Sequence, residues 1–263
     1  MKLGEALGSA SGVDAREARL LLAAATGFSE ASVLAFPERA IPAHVAARFS
    51  EFVARRKAGE PVAYILGRKE FYGLELEVDP AVLIPRPETE LLVDLALARA
   101  PASVVDIGTG SGAIALALKK HLPGTRVVAT DASASALEVA RRNATRLGLE
   151  IDFRHGSWFE PLAGERFAAI ISNPPYVVEG DRHLAGLQFE PRLAIVGGAD
   201  GMEGFRVLAR EAVAHLLPGG WLLVEHGEGQ HEAVRGLLEA AGLETSLSWP
   251  DLAGIPRVSG GKR

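Results

Sequence analysis

The chain has 263 residues, no cysteine, 28 Lys and Arg against 33 Asp and Glu, and a formal net charge of −5; at roughly 150 residues per domain it makes one large domain or two unequal ones. The missing thiols exclude disulfides, thiolate zinc sites, cysteine-ligated iron–sulfur clusters and a cysteine nucleophile, and the acidic balance argues against broad binding of a phosphate backbone. No apolar run approaches the about 18 residues of a membrane span, and Glu5 interrupts the N-terminus too early for a signal-peptide core, so a cytoplasmic protein without a membrane partner is expected.

In chain order, Asp14 is placed to cap a helix over Ala15–Thr26, where Ala18, Leu21, Leu22 and Ala25 recur at helical spacing and Gly27 can close the end. Pro42 suits the first turn of a second helix to about Lys57, with Val45, Phe49, Phe52 and Val53 on one face. Nothing ahead of Arg68 alternates like a strand, and the stretch up to Glu75 holds ten basic and nine acidic residues. Residues 1–75 therefore read as a small helical domain, followed by a larger one over 76–263. Alternation from Arg68 to Val78 with Gly73 at the turn reads as a β-hairpin, within a linker spanning about 66–85. Pro85-Arg86-Pro87-Glu88-Thr89-Glu90 then opens a helix running to about Arg99, its acids complementing the helix dipole.

From Ser103 onward, apolar runs alternate with helical patterns. The strands expected are Val104–Ile107, Arg126–Thr130, Ile151–Arg154, Ala168–Ser172, Trp221–Glu225, Glu244–Ser248 and Arg257–Ser259. The helices expected are Gly112–Lys120, Ser133–Leu147, Gly201–Leu216 and Gln230–Ala241. Such alternation implies an α/β, Rossmann-like fold with a mainly parallel seven-stranded sheet covered on both faces. Ligands of these sheets bind at the carboxyl ends of the strands. Tyr176–Asp200 lacks periodicity and is long for a connection, which marks it as a functional loop.

Val104-Val105-Asp106-Ile107-Gly108-Thr109-Gly110-Ser111-Gly112 joins a strand to a helix. The glycines allow positive φ and let a ligand sit on the main chain. A Lys-Ser/Thr pair does not follow them, so a phosphate-binding P-loop is not indicated. Asp106 would repel a pyrophosphate but can hold an ammonium group, which suits the amino-acid tail of S-adenosylmethionine better than NAD. Asp131 ends the next strand, about 20 residues on, where a carboxylate accepts ribose hydroxyls; an N-cap of the following helix is the alternative reading.

Ile170-Ile171-Ser172-Asn173-Pro174-Pro175-Tyr176 leaves the fourth strand of the domain through two prolines that force a rigid, extended exit. Asn173 can offer a side-chain carbonyl and Pro174 a backbone carbonyl, each accepting one N–H of a planar –NH₂ group. Those bonds strengthen as positive charge grows on an attacking nitrogen. Tyr176 supplies a flat face for stacking. A bland alternative is a strand-ending Pro-Pro with Tyr176 packed on the core.

Together with Asp106–Gly112, Asp131 and Asn173–Tyr176, the segments Pro85–Glu90, Phe189-Glu190-Pro191-Arg192, Glu225-His226-Gly227 and Asp251-Leu252-Ala253-Gly254 make the chain similar to the HemK/PrmC family. That resemblance covers essentially the whole chain. It implies a class I S-adenosylmethionine-dependent methyltransferase acting on the amide nitrogen (N5) of the glutamine in the Gly-Gly-Gln motif of class 1 peptide chain release factors, with S-adenosylhomocysteine as the product. It further implies that Ile107, Gly108, Thr109, Gly110 and Ser111 line the cofactor beside Asn173, that Trp158 flanks its adenine, that Pro175 and Tyr176 contact the substrate, and that the helical N-terminal domain engages the release factor. The chain departs from many relatives at Ser157, where they carry an acid.

Other readings are an N-methyltransferase acting on an exocyclic amine of nucleic acid or on a ribosomal-protein glutamine, a non-catalytic release-factor-binding module, and a dehydrogenase. Stable nucleic-acid binding is not expected, because basic residues form only local clusters such as Arg55-Arg56-Lys57. Glu225 and His226 are read as structural, since transfer from a sulfonium demands no base, and no metal-ligand spacing is present. A monomer is expected.

Overall fold

Asp14 accepts the backbone N–H groups of Arg16 and Glu17 and so opens the helix whose buried face runs from Ala18 to Ala25. The computed structural model describes all residues from Met1 to Arg263, in two units, Met1–Arg68 and Lys69–Arg263. The first unit contains α1 (Leu3–Ser9), α2 (Ala15–Thr26), α3 (Glu30–Ala35), α4 (Ala43–Lys57) and α5 (Val62–Leu66). Leu21 and Leu22 of α2 and Phe49 of α4 are fully buried in one cluster with Leu3 and Val33; each such side chain contributes about 1.5–3 kcal/mol. Gly27, at φ 75°, ends α2 with its N–H on the carbonyl of Ala23. Pro42 is the residue capping α4, one place before the first turn expected for it. The short helices α1, α3 and α5 have too few turns to show a period in sequence; α3 is set by its cap, the Ser29 hydroxyl accepting the N–H of Ser32.

A hairpin opens the second unit, β1 (Arg68–Phe71) and β2 (Leu74–Glu77). Its two-residue turn, Tyr72-Gly73, has positive φ at both positions, 51° and 73°, which matches the twist of the flanking strands. Tyr72 is held there by its N–H on Glu90 Oε1 and its hydroxyl on Asp94 Oδ1, at 2.9 and 2.6 Å. The helix expected from Pro85 to Arg99 is shorter: a 3₁₀ turn over Pro87–Thr89 passes into α6 (Glu90–Leu97).

The remaining elements are β3 (Ser103–Ile107), α7 (Ala113–His121), β4 (Arg126–Asp131), α8 (Ala134–Leu147), β5 (Asp152–His155), β6 (Phe167–Ser172), α9 (Glu203–His215), β7 (Leu216–Glu225), α10 (His231–Ala240), β8 (Glu244–Pro250) and β9 (Pro256–Lys262). They build a seven-stranded sheet in the order β5-β4-β3-β6-β7-β9-β8. β3 to β7 are parallel, and β9 runs antiparallel between β7 and β8. The expected α/β architecture with a mainly parallel sheet is therefore present. β3 is buried on both faces, Val104 facing one core cluster and Val105 and Ile107 the other.

Strand order turns back at β3. The chain goes from β3 outward through β4 to β5, then returns to place β6 on the other side. Loops leaving β3 and β6 thus part in opposite directions and leave a crevice at the carboxyl ends. β7 begins at Leu216, earlier than expected, because Pro218-Gly219-Gly220 is absorbed at a register shift opposite Phe167 and Ala169. β9 likewise extends through Gly260-Gly261, where a Cβ on Gly260 would stand 2.7 Å from the Leu222 carbonyl oxygen.

Candidate active site

At this crevice a cavity of about 200 Å³ opens, walled by Ile107, Gly108, Gly110, Asp131, Trp158, Asn173, Pro174 and Pro175, with Leu83 and Leu193 among its apolar sides. Gly108, Gly110 and Gly112 all adopt left-handed conformations, with φ of 76°, 55° and 84°, so other residues would strain the turn. The N–H groups of Gly108 and Thr109 both reach the Thr130 carbonyl, at 2.9 and 3.0 Å, while that of Gly110 reaches Asp131 Oδ2 at 2.8 Å.

Asp131 also accepts the N–H of Ser133 through Oδ1 at 2.8 Å. Ser133, not Asp131, caps α8, its hydroxyl accepting the N–H of Ala136. Burial pushes the Asp131 carboxyl up, against two backbone N–H groups that hold it down. Each of its oxygens has a second lone pair beyond these bonds.

Asp106, Thr109 and Ser111 lie beneath the turn and are not part of the cavity wall. Asp106 is fully buried. Its Oδ2 accepts the Thr109 hydroxyl at 2.6 Å and the Ala115 N–H at 3.3 Å, while Oδ1 has no partner. Burial pushes its carboxyl up to about 7. The Ser111 carbonyl accepts one N–H of Asn143, whose side chain also exchanges bonds with the Glu77 backbone, tying the hairpin to the turn.

Asn173 donates Nδ2–H to Thr89 Oγ1 at 3.2 Å, and its Oδ1 has no protein partner. The Asn-Pro-Pro-Tyr exit is pressed from behind by glycines. A Cβ on Gly204 would stand 2.8 Å from Trp158 Cη2 and 3.1 Å from Pro174 Cβ, and one on Gly197 would stand 2.5 Å from the Pro175 carbonyl oxygen. Trp158 holds a positive φ of 50°. Tyr176 lies outside the cavity wall, its ring beside Gly227, its carbonyl accepting from Gln230 Nε2 and its hydroxyl 3.5 Å from Glu225 Oε1. Burial, helped by the Glu225 charge, raises its phenol well above the usual range.

His226 is fully buried, with Nε2 2.9 Å from the Ser259 hydroxyl and Nδ1 3.0 Å from the Gly227 carbonyl. It has a structural place, and burial depresses its pKa. Glu190, in the segment after Tyr176, sends Oε2 to the Ile84 N–H at 2.9 Å and pairs through Oε1 with Arg86. That segment is not structureless: Val177 bridges Val196, and 3₁₀ turns cover Arg182–Leu187 and Arg192–Ala194. Leu83 and Leu193 carry no motif in sequence; Glu190 and Arg86 stand in two of the segments that carry the resemblance, Phe189–Arg192 and Pro85–Glu90, but nothing in the sequence pairs them.

A glycine turn coupled to an acid on the next strand, facing an asparagine held with its oxygen free, is an arrangement for holding a charged donor against a planar nitrogen acceptor. The fold and site define a methyltransferase. Residues 87–188 match the Methyltransferase small domain family and residues 3–67 the PrmC N-terminal domain family. A methyltransferase from Pyrococcus furiosus shares the fold, with a TM-score of 0.58 at 21% identity over 81% of this chain and 98% of that one. The release factor glutamine methyltransferase of Neisseria gonorrhoeae is 46% identical over 94% of this chain and 92% of its own length; that of Bordetella pertussis is 48% identical over 95% of each. The chain belongs to the release factor glutamine methyltransferase family.

Proposed function

We propose that this enzyme transfers a methyl group from S-adenosylmethionine to the N5 amide nitrogen of the glutamine in the Gly-Gly-Gln motif of class 1 release factors, leaving S-adenosylhomocysteine and releasing one amide proton to solvent. The observation that carries the reading is Asn173, whose Nδ2 is engaged by Thr89 while its Oδ1 is free at the cavity wall.

The methyl donor fits the residues present. Asp106 Oδ1 is an orphaned buried acceptor beneath the glycine turn, suited to a nearby ammonium, and Asp131 retains acceptor capacity for a ribose diol. Gly108 and Gly110 leave open space above the main chain, and Trp158 offers an aromatic wall for an adenine. Ile107, Thr109 and Ser111 complete the turn. When bound, the donor supplies a methyl group on an electron-poor sulfonium, so the protein needs no nucleophile.

The acceptor amide is a poor nucleophile because its lone pair is delocalised. Asn173 Oδ1 and the Pro174 carbonyl would each accept one of its N–H bonds, orienting the nitrogen and favouring the state in which positive charge builds on it. Pro175 keeps this exit rigid. Tyr176, one residue beyond the wall, is assigned to the entering side chain rather than to the donor. The N-terminal helical unit is assigned to release-factor recognition, and its near balance of charge suits a protein surface better than a phosphate backbone. No helix is long and apolar enough to cross a membrane, and we place the reaction in the cytoplasm, carried out by a monomer.

Incubation with S-adenosylmethionine labelled in the methyl group and a release factor tests the reading, with a Gln→Ala release factor as control. Label should appear only on the glutamine-bearing protein. Equal labelling of both contradicts the assignment.

A further inference from the structure

The segment Asp251–Gly254 lies outside the cavity wall and takes no part in the steps described above. It belongs to the turn between β8, which ends at Pro250, and β9, which begins at Pro256. Leu252 in this turn is fully exposed, more so than any other large apolar side chain of the protein. A leucine on a surface is ordinary, but the turn beneath this one is closely bonded. Asp251 Oδ1 accepts the N–H groups of Ala253 and Ile255 at 2.9 and 3.0 Å, and Oδ2 accepts Arg257 Nε–H at 3.0 Å. The Asp251 N–H reaches the Ile255 carbonyl at 2.8 Å, and the Asp251 carbonyl accepts the Gly254 N–H at 2.9 Å. None of these bonds uses Leu252. Its side chain is displayed on a turn already ordered, which lowers the entropy lost on binding.

The turn stands beside the site. β9 runs antiparallel to β7 with Val258 opposite Glu225, so the chain between β8 and β9 lies at the carboxyl edge of β7. Asn173 leaves β6 at that same edge, since Ser172 pairs with Val224. β9 is two strands across from β6, about 10 Å away. The two are also linked by contacts. Arg257, held by Asp251, accepts the His226 N–H on its carbonyl at 2.8 Å, and the neighbouring Glu225 has Oε1 3.5 Å from the Tyr176 hydroxyl. A protein whose glutamine sits against Asn173 must cover this edge, and about three extended residues span that distance.

The chemistry of the turn narrows the partner. Trp249–Pro256 contains no lysine or arginine, and Arg257 is paired with Asp251. A phosphate backbone or an anionic membrane therefore finds no free cation here. An apolar side chain on a stiff turn suits an apolar hollow on a protein surface.

We propose that the Asp251–Ile255 turn is a docking contact for the release factor, with Leu252 entering an apolar hollow beside that protein's Gly-Gly-Gln loop. The proposal rests on the release factor being the substrate as described above. The turn grips the substrate protein and leaves the reacting amide to Asn173.

The test is steady-state methylation of a full-length release factor by the wild-type enzyme, Leu252→Ala, Leu252→Glu and Leu252→Met, with the melting temperature and sedimentation of each. For Leu252→Ala, KM for the release factor is expected to rise about 10-fold, the scale of an apolar side chain lost from a buried contact. Leu252→Glu should raise it further, because a charge enters the hollow. In both variants kcat and KM for S-adenosylmethionine should stay within about twofold of wild type, and melting temperatures should match because the side chain is exposed. Leu252→Met, of similar volume, should return KM for the release factor to within about threefold. A wild-type KM for the release factor in both Leu252→Ala and Leu252→Glu would overturn the docking role. So would a loss confined to kcat or to KM for S-adenosylmethionine, or a wild-type dimer that Leu252→Glu splits, which would give the turn to a second copy of the chain. Absence of glutamine-dependent labelling by the wild-type enzyme would instead overturn the release-factor reading itself.

Discussion

The backbone N–H of Gly110 lies 2.8 Å from Oδ2 of Asp131, so the glycine turn after β3 and the acid ending β4 are one hydrogen-bonded unit although 21 residues separate them. An acid in this place orders the turn before any ligand arrives and still has lone pairs left for one. Asp131→Ala is expected to weaken S-adenosylmethionine binding by about 10- to 100-fold, because a charge-assisted contact and the order of the turn are lost together. Calorimetry checks this; unchanged affinity would count against both roles.

Gly204 gives a test whose sign is diagnostic. Alanine in a helix ordinarily gains up to about 1 kcal/mol over glycine. Here the added methyl would meet Trp158 at 2.8 Å and Pro174 at 3.1 Å, and overpacking of this kind costs about 1–3 kcal/mol. Gly204→Ala should therefore melt lower than wild type, with a shifted tryptophan emission and a reduced kcat. A higher melting temperature with full activity would show that the Asn-Pro-Pro-Tyr exit is not held from behind in this way.

Asp106 links pH to stability. Its buried carboxyl is pushed up to about 7 from 3.8. Between those values the folded protein keeps a proton that the unfolded chain has released, so this residue's contribution to stability falls as pH rises through the window. Asp106→Asn removes the dependence. The melting temperature of the variant relative to wild type should rise from pH 4.5 to pH 7.5, on the order of several degrees. Saturating S-adenosylmethionine should narrow that change, since a nearby cation favours the charged carboxylate. A difference between the two proteins that is flat with pH would contradict the assignment.

Glu190 fastens the segment after Tyr176 to the stretch before α6, through Arg86 and the N–H of Ile84. Glu190→Ala strands that buried N–H and is expected to destabilise the fold by roughly 1–3 kcal/mol, the partly exposed Arg86 adding little through its charge. Thermal denaturation measures it, and a melting temperature equal to wild type would rule out the fastening role.

The parts of the site legible in sequence are those carried by contiguous runs. Gly108–Gly112 demands positive φ, Asn173–Tyr176 is stiffened by its own prolines, and Asp131 sits at a strand end that periodicity alone predicts. What was not legible depends on pairs distant in the chain: Asn173 with Thr89, Glu190 with Arg86, Asn143 with Glu77, separated by 84, 104 and 66 residues. No local pattern encodes such partners. The sequence reads Asp106 as an acid suited to a ligand's ammonium but does not show it as fully buried, because its capping by Thr109 arises only when the turn folds back over it. In the sheet, Pro218-Gly219-Gly220 and Gly260-Gly261 look like breaks in strands that in fact continue, the first through a register shift and the second through close backbone approach.

The free oxygen of Asn173 is the group assigned to receive the amide that becomes methylated. Single-turnover methyl transfer to a release factor by wild type and Asn173→Ala, each saturated with S-adenosylmethionine, measures it most directly. A rate lowered by about 10²- to 10³-fold is expected in the variant, the cost of removing one hydrogen-bonding group that acts on the transition state, with S-adenosylmethionine affinity within a few-fold of wild type. An undiminished rate in Asn173→Ala would contradict it.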